Sequence, residues 1–104
     1  MKTRFSIEMD FNKAKKQADE LESLAKELKS VATSDYENTI NQINANWQSD
    51  CSGEYIRKAN TVKERMIKSA NSLSKAADTI RQVAQNIYNA ELASIELAEA
   101  RTYS

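Results

Sequence analysis

No proline interrupts these 104 residues, and glycine occurs once, at Gly53. Proline and glycine supply the fixed and the left-handed backbone angles from which hairpin turns and tight α/β loops are built. A chain almost without them has few ways to reverse direction. Ala, Glu, Lys, Leu, Asn, Gln and Ser fill most of it instead, and several of these are strong helix formers. Long helices are the expectation. Length and composition mark a single domain over residues 1–104.

The apolar residues say where those helices run. Phe5, Ile7 and Met9 alternate with polar neighbours, which predicts an extended arm over residues 1–9. Asp10 can cap a first helix over 10–45, along which Phe11, Ala14, Ala18, Leu21, Ala25, Leu28 and Ala32 recur at steps of three and four. Beyond Ala32 the stripe continues through Tyr36, Ile40, Ile43 and Trp47 with an extra four-residue step, the pattern of a stutter. Ser34-Asp35-Tyr36-Glu37 also matches a capping box, so a new helix could start there; the absence of Gly and Pro favours a continuous one. Residues 46–53, rich in side chains that bond their own backbone, read as the turn. A second helix over 54–97 follows, with Tyr55, Ala59, Val62, Met66, Ala70, Leu73, Ala77, Ile80, Ala84 and Ile87 in its stripe, one slip between Met66 and Ala70, and a polar tail at 98–104. Glu54 to Lys58 and Glu64 to Lys68 add acid-before-base pairs four apart.

The fold class predicted is all-α, two long antiparallel helices in a helix-turn-helix hairpin. Helices of about 35 residues are about 50 Å long, and each buries one stripe against the other. Leu24 and Val31 widen the apolar face beyond that stripe. The hairpin-or-dimer core is therefore assigned to Leu21, Leu24, Leu28, Val31, Ile40, Ile43, Met66, Leu73, Ile80 and Ile87. A second hairpin is needed to cover it, which predicts a four-helix bundle formed by dimerisation, homo- or heteromeric.

The inventory excludes most chemistry. There is no histidine, so serine-triad, cysteine–histidine and histidine–metal arrangements lack their base or ligand. The lone Cys51 fits a small side chain under the turn better than a nucleophile, and one glycine cannot build a phosphate loop. No enzyme, metal or cofactor is expected. Fifteen Lys and Arg balance fifteen Asp and Glu. The basic cluster Arg57, Lys58, Lys63, Arg65 and Lys68 is broken by Glu64 and reads as a solvated face, so no nucleic-acid partner is expected. No apolar stretch approaches a membrane span, nor does an apolar h-region follow the basic start. Stable membrane insertion and a Sec signal peptide are therefore not expected.

Trp47, the chain's single tryptophan, falls at the end of the first helix, and Trp47, Ser49, Cys51 and Tyr55 lie at offsets of zero, two, four and eight. This resembles the Trp-x-Gly-x-Ala turn followed by an aromatic in the WXG family, the hundred-residue proteins of type VII (Esx) secretion. Length, the Ile7-x-Met9-Asp10 lead into the first helix, the central turn and the polar tail extend the resemblance over nearly the whole chain. It departs in two places. Ser49 stands where the family has glycine, leaving Gly53 to take over part of that role, and Tyr88 with Glu91 has an acid at three residues where the family's tail signal has it at four. The resemblance implies a protein made in the bacterial cytoplasm and exported by the type VII route, or one escorting cargo to it. Its partners would be a related helical hairpin, the export ATPase that reads the Trp47 turn, and a larger secreted toxin. Two alternatives stay open: a cytosolic chaperone for such a toxin, and a coiled-coil adaptor unrelated to secretion.

Overall fold

The computed structural model describes residues 2–46 and 50–103, without the side chains of Asp50, Cys51 and Tyr103. Its elements are helices throughout: α1 (Arg4–Ser30), a π-helical turn (Val31–Asp35), α2 (Tyr36–Asn46) and α3 (Asp50–Tyr103). The all-α prediction agrees with this. Contacts gather the chain into two compact units, Met1–Leu21 with Lys75–Ser104, and Glu22–Ser74.

In the first unit, rising numbers on α1 meet falling numbers on α3. Arg4 pairs with Glu99 at 3.0 Å, Phe11 stacks with Tyr88 and Asp19 pairs with Arg81 at 2.8 Å, so the two helices run antiparallel. Their seam is Ile7, Phe11, Ala14, Ala18 and Leu21 against Ala77, Ile80, Ala84, Tyr88, Glu91 and Ile95, with Ala18 and Ala77 fully buried. In the second unit α2 ends at Asn46 and α3 starts at Asp50. Ala25, Ala32, Ile40, Ala59 and Ala70 are buried there, with Leu28, Ile43, Met66 and Leu73 half-buried around them. Alanine thus recurs every seventh residue at 18, 25 and 32 and again at 70, 77 and 84. Side chains this small let helix axes approach toward the short end of the usual 8–10 Å.

α1 begins at Arg4, so the arm over residues 1–9 is helical for most of its length. Thr3 is the cap. Its Oγ1 accepts the Ser6 N–H at 3.1 Å, Ser6 Oγ accepts the Thr3 N–H at 3.1 Å, and the Ile7 N–H closes the first turn on Thr3 O at 3.0 Å. This is the reciprocal capping box with serine in the far position. Asp10, the predicted cap, instead takes the Lys2 ammonium at 3.1 Å. In a helix the period-two set splits: Ile7 faces inward while Phe5 and Met9 remain 73% and 56% exposed.

The stutter after Ala32 is present as the π-helical turn. Backbone angles are α-helical on either side, at Ser30 and Tyr36, and the Tyr36 N–H donates to Val31 O five residues back. A π turn takes up one more residue than an α turn. The seam can therefore pass through Leu28, Ala32, Tyr36 and Ile40 in successive steps of four without leaving its face, and the helix does not restart at Ser34. Thr33 Oγ1 donates to Lys29 O at 2.8 Å across the same stretch.

α3 is longer than predicted at both ends, and its seam follows the predicted one at Ala59, Met66, Ala70, Leu73, Ala77, Ile80 and Ala84 but runs one residue later at three positions. Ile56, Lys63 and Tyr88 occupy positions assigned to Tyr55, Val62 and Ile87, which are about half exposed. From Ile56 to Ala84 the steps alternate three and four without a slip; the extra four-residue step falls between Ala84 and Tyr88. Lys63 explains the misreading. Its stem lies in the seam and its ammonium reaches Glu37 at 3.5 Å, so a charged residue holds a core position by snorkelling. Gly53 lies inside α3 without a positive φ and contributes nothing a turn would need. The expected Glu54–Lys58 pair forms at 3.7 Å. No helix among the described residues is long and apolar enough to cross a membrane.

Candidate interaction surfaces

Three of the ten assigned core residues lie outside the seam. Leu24 and Val31 are 56% and 42% exposed, as is Ile87 at 52%. The other seven, Leu21, Leu28, Ile40, Ile43, Met66, Leu73 and Ile80, are buried or half-buried within their units. In the second unit Leu24, Val31, Tyr55 and Val62 are exposed large apolar side chains. Leu24 and Val31 stand seven residues apart, each one position before a buried alanine, and Tyr55 and Val62 stand seven apart on α3, each one position before the seam residues Ile56 and Lys63. A shallow groove of about 230 Å³ lies over Tyr36, Tyr55, Ala59 and Val62, with Lys58 at its edge. Tyr55, singled out beside the tryptophan motif, is thus a surface residue bordering an apolar groove. Trp47 and Ser49 lie outside the described residues, as does the Cys51 side chain.

In the first unit, Tyr88 and Glu91 sit at a clasp between the start of α1 and the C-terminal part of α3. The Tyr88 ring packs on Phe11 with centroids 4.6 Å apart and planes tilted by 33°, the offset geometry that aromatic quadrupoles favour. Lys15 lies over the other ring of the pair, 5.2 Å from the Phe11 centroid. One carboxylate oxygen of Glu91 takes Lys2 at 3.2 Å, and Lys2 reaches Asp10 as well. Hydrogen bonds to Asp10 and Glu91 hold the Lys2 ammonium above the ordinary lysine value. The remaining Glu91 oxygen is buried and accepts no hydrogen bond among the described residues. Neither Phe11 nor Lys2 was recognisable as a site residue in the sequence. Phe11 was read as seam, and the signal for its partner, Tyr88 four residues after Ala84, was masked by the more apolar Ile87.

Two apolar clefts open beside the clasp. One, of about 210 Å³, is lined by Phe11, Ile87 and Tyr88 with Lys2, Asp10 and Glu91 around them; the other, of about 260 Å³, by Thr79, Ile80 and Val83. Ala14, Ala84 and Ile87 line both. Among the described residues no group of three or more Cys, Asp or Glu side chains gathers as metal ligands would. The arrangement offers exposed apolar side chains and shallow apolar clefts beside a few carboxylates and ammonium groups. No family model, curated protein or solved structure matches the chain.

Proposed function

We propose that this chain is a small protein exported by, or escorting cargo to, a bacterial type VII secretion system, and that it works by helix–helix binding. The observation that carries the reading is the set of large apolar side chains left in solvent at helical spacing, Leu24, Val31, Tyr55 and Val62 in one unit and Val83 and Ile87 in the other. Exposed apolar surface organised in this way is the surface a partner helix covers. Dimerisation with a second helical hairpin, of the same or a related chain, into a four-helix bundle covers it. The pathway comes from the WXG resemblance: a Trp turn at the hairpin end, read by the export ATPase beside a partner's tail.

Trp47→Ala is the test. Export into the medium falls at least tenfold while the helical circular dichroism signal and its melting midpoint stay near wild type. Equal loss of both reduces Trp47 to a hydrophobic plug and removes its role in recognition. The chaperone reading, in which this chain stays in the cytosol with a larger toxin, has one observation in its favour. Tyr88 and Glu91, the residues placed where the family carries its tail signal, are engaged by Phe11 and Lys2 within this chain. A partner would then carry the signal. Rescue of a genomic neighbour's solubility by co-expression, without export of this chain, distinguishes that case.

A further inference from the structure

The cleft beside the clasp already holds a tethered cation. Lys2 precedes the first helical turn, and its ammonium bridges Asp10 at 3.1 Å and Glu91 at 3.2 Å. Ala14, Ala84 and the stacked rings of Phe11 and Tyr88 line the same cleft. Two carboxylates against one ammonium leave that lining one negative charge in excess; Lys15 lies over the Phe11 ring and lines neither cleft. Lys2 is more than half exposed and its pairs are surface pairs, which hold weakly and exchange readily for a better-fitting cation.

A guanidinium fits better. One Glu91 oxygen takes Lys2, while the other is buried and accepts no hydrogen bond among the described residues, a costly state for a carboxylate. An arginine fork presents two parallel N–H donors to a carboxylate, and its plane stacks on aromatic rings. The lining supplies partners for both. At about 210 Å³ the cleft is smaller than the ~300–1,000 Å³ usual for a small-molecule site and suits one large side chain. Ala14, Ala84 and Ile87 carry on into the second cleft, where Ile80 and Val83 offer apolar surface to a neighbour of that side chain.

This chain has no arginine free to serve with such a neighbour. Arg4 and Arg81 are paired, and Arg101 makes a contact of its own. Arg57 has no large apolar residue three or four positions away, and Arg65 has only Val62. The occupant therefore belongs to another protein.

We infer that an arginine of a partner protein, with a large apolar residue beside it, enters the paired clefts, displaces Lys2 from Asp10 and Glu91 and stacks on the Phe11–Tyr88 pair. Lys2 is then a built-in competitor for the site. This anchor deepens the helix-binding reading and rests on it for the existence of a partner, but not on export: it holds or fails in purified protein, and its failure leaves the export test unchanged.

NMR titration of the isotope-labelled full chain with N-acetyl-leucyl-arginine amide tests it. Saturable amide shifts gather at Ala14, Ala84, Tyr88 and Glu91, with a dissociation constant of roughly 1 mM for so small a ligand. The citrulline analogue, which keeps the shape without the charge, binds at least tenfold more weakly, and the lysine analogue, which lacks the fork, at least threefold more weakly. Lys2→Ala tightens the arginine peptide at least threefold by removing the competitor. Glu91→Gln weakens it at least fivefold and leaves the citrulline peptide unchanged; Lys2→Ala, outside the helices, keeps the test decisive if circular dichroism shows that Glu91→Gln fails to fold. Equal binding of the arginine and citrulline peptides overturns the inference, as does no binding at about 20 mM, or binding to Lys2→Ala no tighter than to wild type. Shifts at the same amides when the chain alone is concentrated also overturn it, and point to a second copy as occupant.

Discussion

Replacing Ala77 by leucine tests the alanine seam where it is tightest. Ala77 and Ala18 are both fully buried in the seam of the first unit, with the Asp19–Arg81 pair beside them at 2.8 Å. Leucine adds three carbons to a site with no free surface, so either the two helices separate or the side chain leaves its rotamer. Overpacking of this kind costs about 1–3 kcal/mol. The neighbouring Ala76 is exposed, and leucine and alanine have nearly the same helix propensity, so Ala76→Leu stays within about 0.5 kcal/mol of wild type. At a urea m-value of roughly 1.5 kcal/mol per molar, the Ala77 variant loses about 0.7–2 M from its midpoint, and its melting temperature falls by roughly 4–24 °C. Urea titrations followed by circular dichroism on both variants measure the difference. If Ala76→Leu is the damaging change and Ala77→Leu the harmless one, the register of α3 is wrong by one residue. If both are harmless, there is no close seam here.

Other perturbations probe the remaining elements. Gly53 lies within α3 with helical backbone, and a Cβ built there meets nothing within 4 Å; Gly53→Ala therefore stabilises by about 0.5–1 kcal/mol, and a lower melting temperature would count against a helix at that point. Deleting Ser34 from the π-helical turn turns the steps through Ala32, Tyr36 and Ile40 into an ordinary alternation of three and four, so the variant melts close to wild type. Deleting exposed Ser23 swings the following stripe by about 100° and should abolish the cooperative transition; equal tolerance of both deletions would refute the seam. Phe11→Ala removes the ring stacked on Tyr88 and costs about 2 kcal/mol, less than a fully buried phenylalanine would, with faster amide exchange around residue 91; a loss below about 0.5 kcal/mol would show the clasp to be ornamental. Lys2 is raised above the ordinary value of 10.5 by Asp10 and then Glu91. A group raised on folding stabilises fully below its unfolded pKa and stops doing so as pH climbs through its folded one. Its contribution to the clasp therefore persists through neutral pH and fades only above about 10.5; a Lys2-dependent loosening seen by NMR between pH 7 and 9 would contradict that pairing.

Most of the helix content was legible because it depends on what is missing. Without proline and with one glycine, little could stop a helix, and the heptad alanines set the inward face. Where the reading slipped, the cause was local. Thr3 and Ser6 exchange the two hydrogen bonds of a capping box, but serine in the far position is a weaker sequence signal than Glu or Gln, so Asp10 drew the helix start six residues too late. Lys63 looked like surface because charge hides the apolar stem that lies in the seam. Exposure of Leu24, Val31 and Ile87 could not be decided from pattern, since an apolar residue one position off the seam is identical in sequence whether a second helix covers it or not. The clasp was out of reach for a different reason: Lys2 with Glu91 and Phe11 with Tyr88 are meetings of opposite ends of the chain, and no spacing along one helix encodes them. The Trp47 turn, the most distinctive motif in the sequence, rests on the resemblance alone.

The central claim is tested most directly by immunoblot of culture medium and cell lysate from the native host, with and without its type VII export ATPase, beside a cytosolic marker that reports lysis. The account predicts the chain in the medium of the parent strain and its retention in the lysate when the ATPase is removed. Presence in the lysate alone in both strains, or in the medium of both, contradicts it.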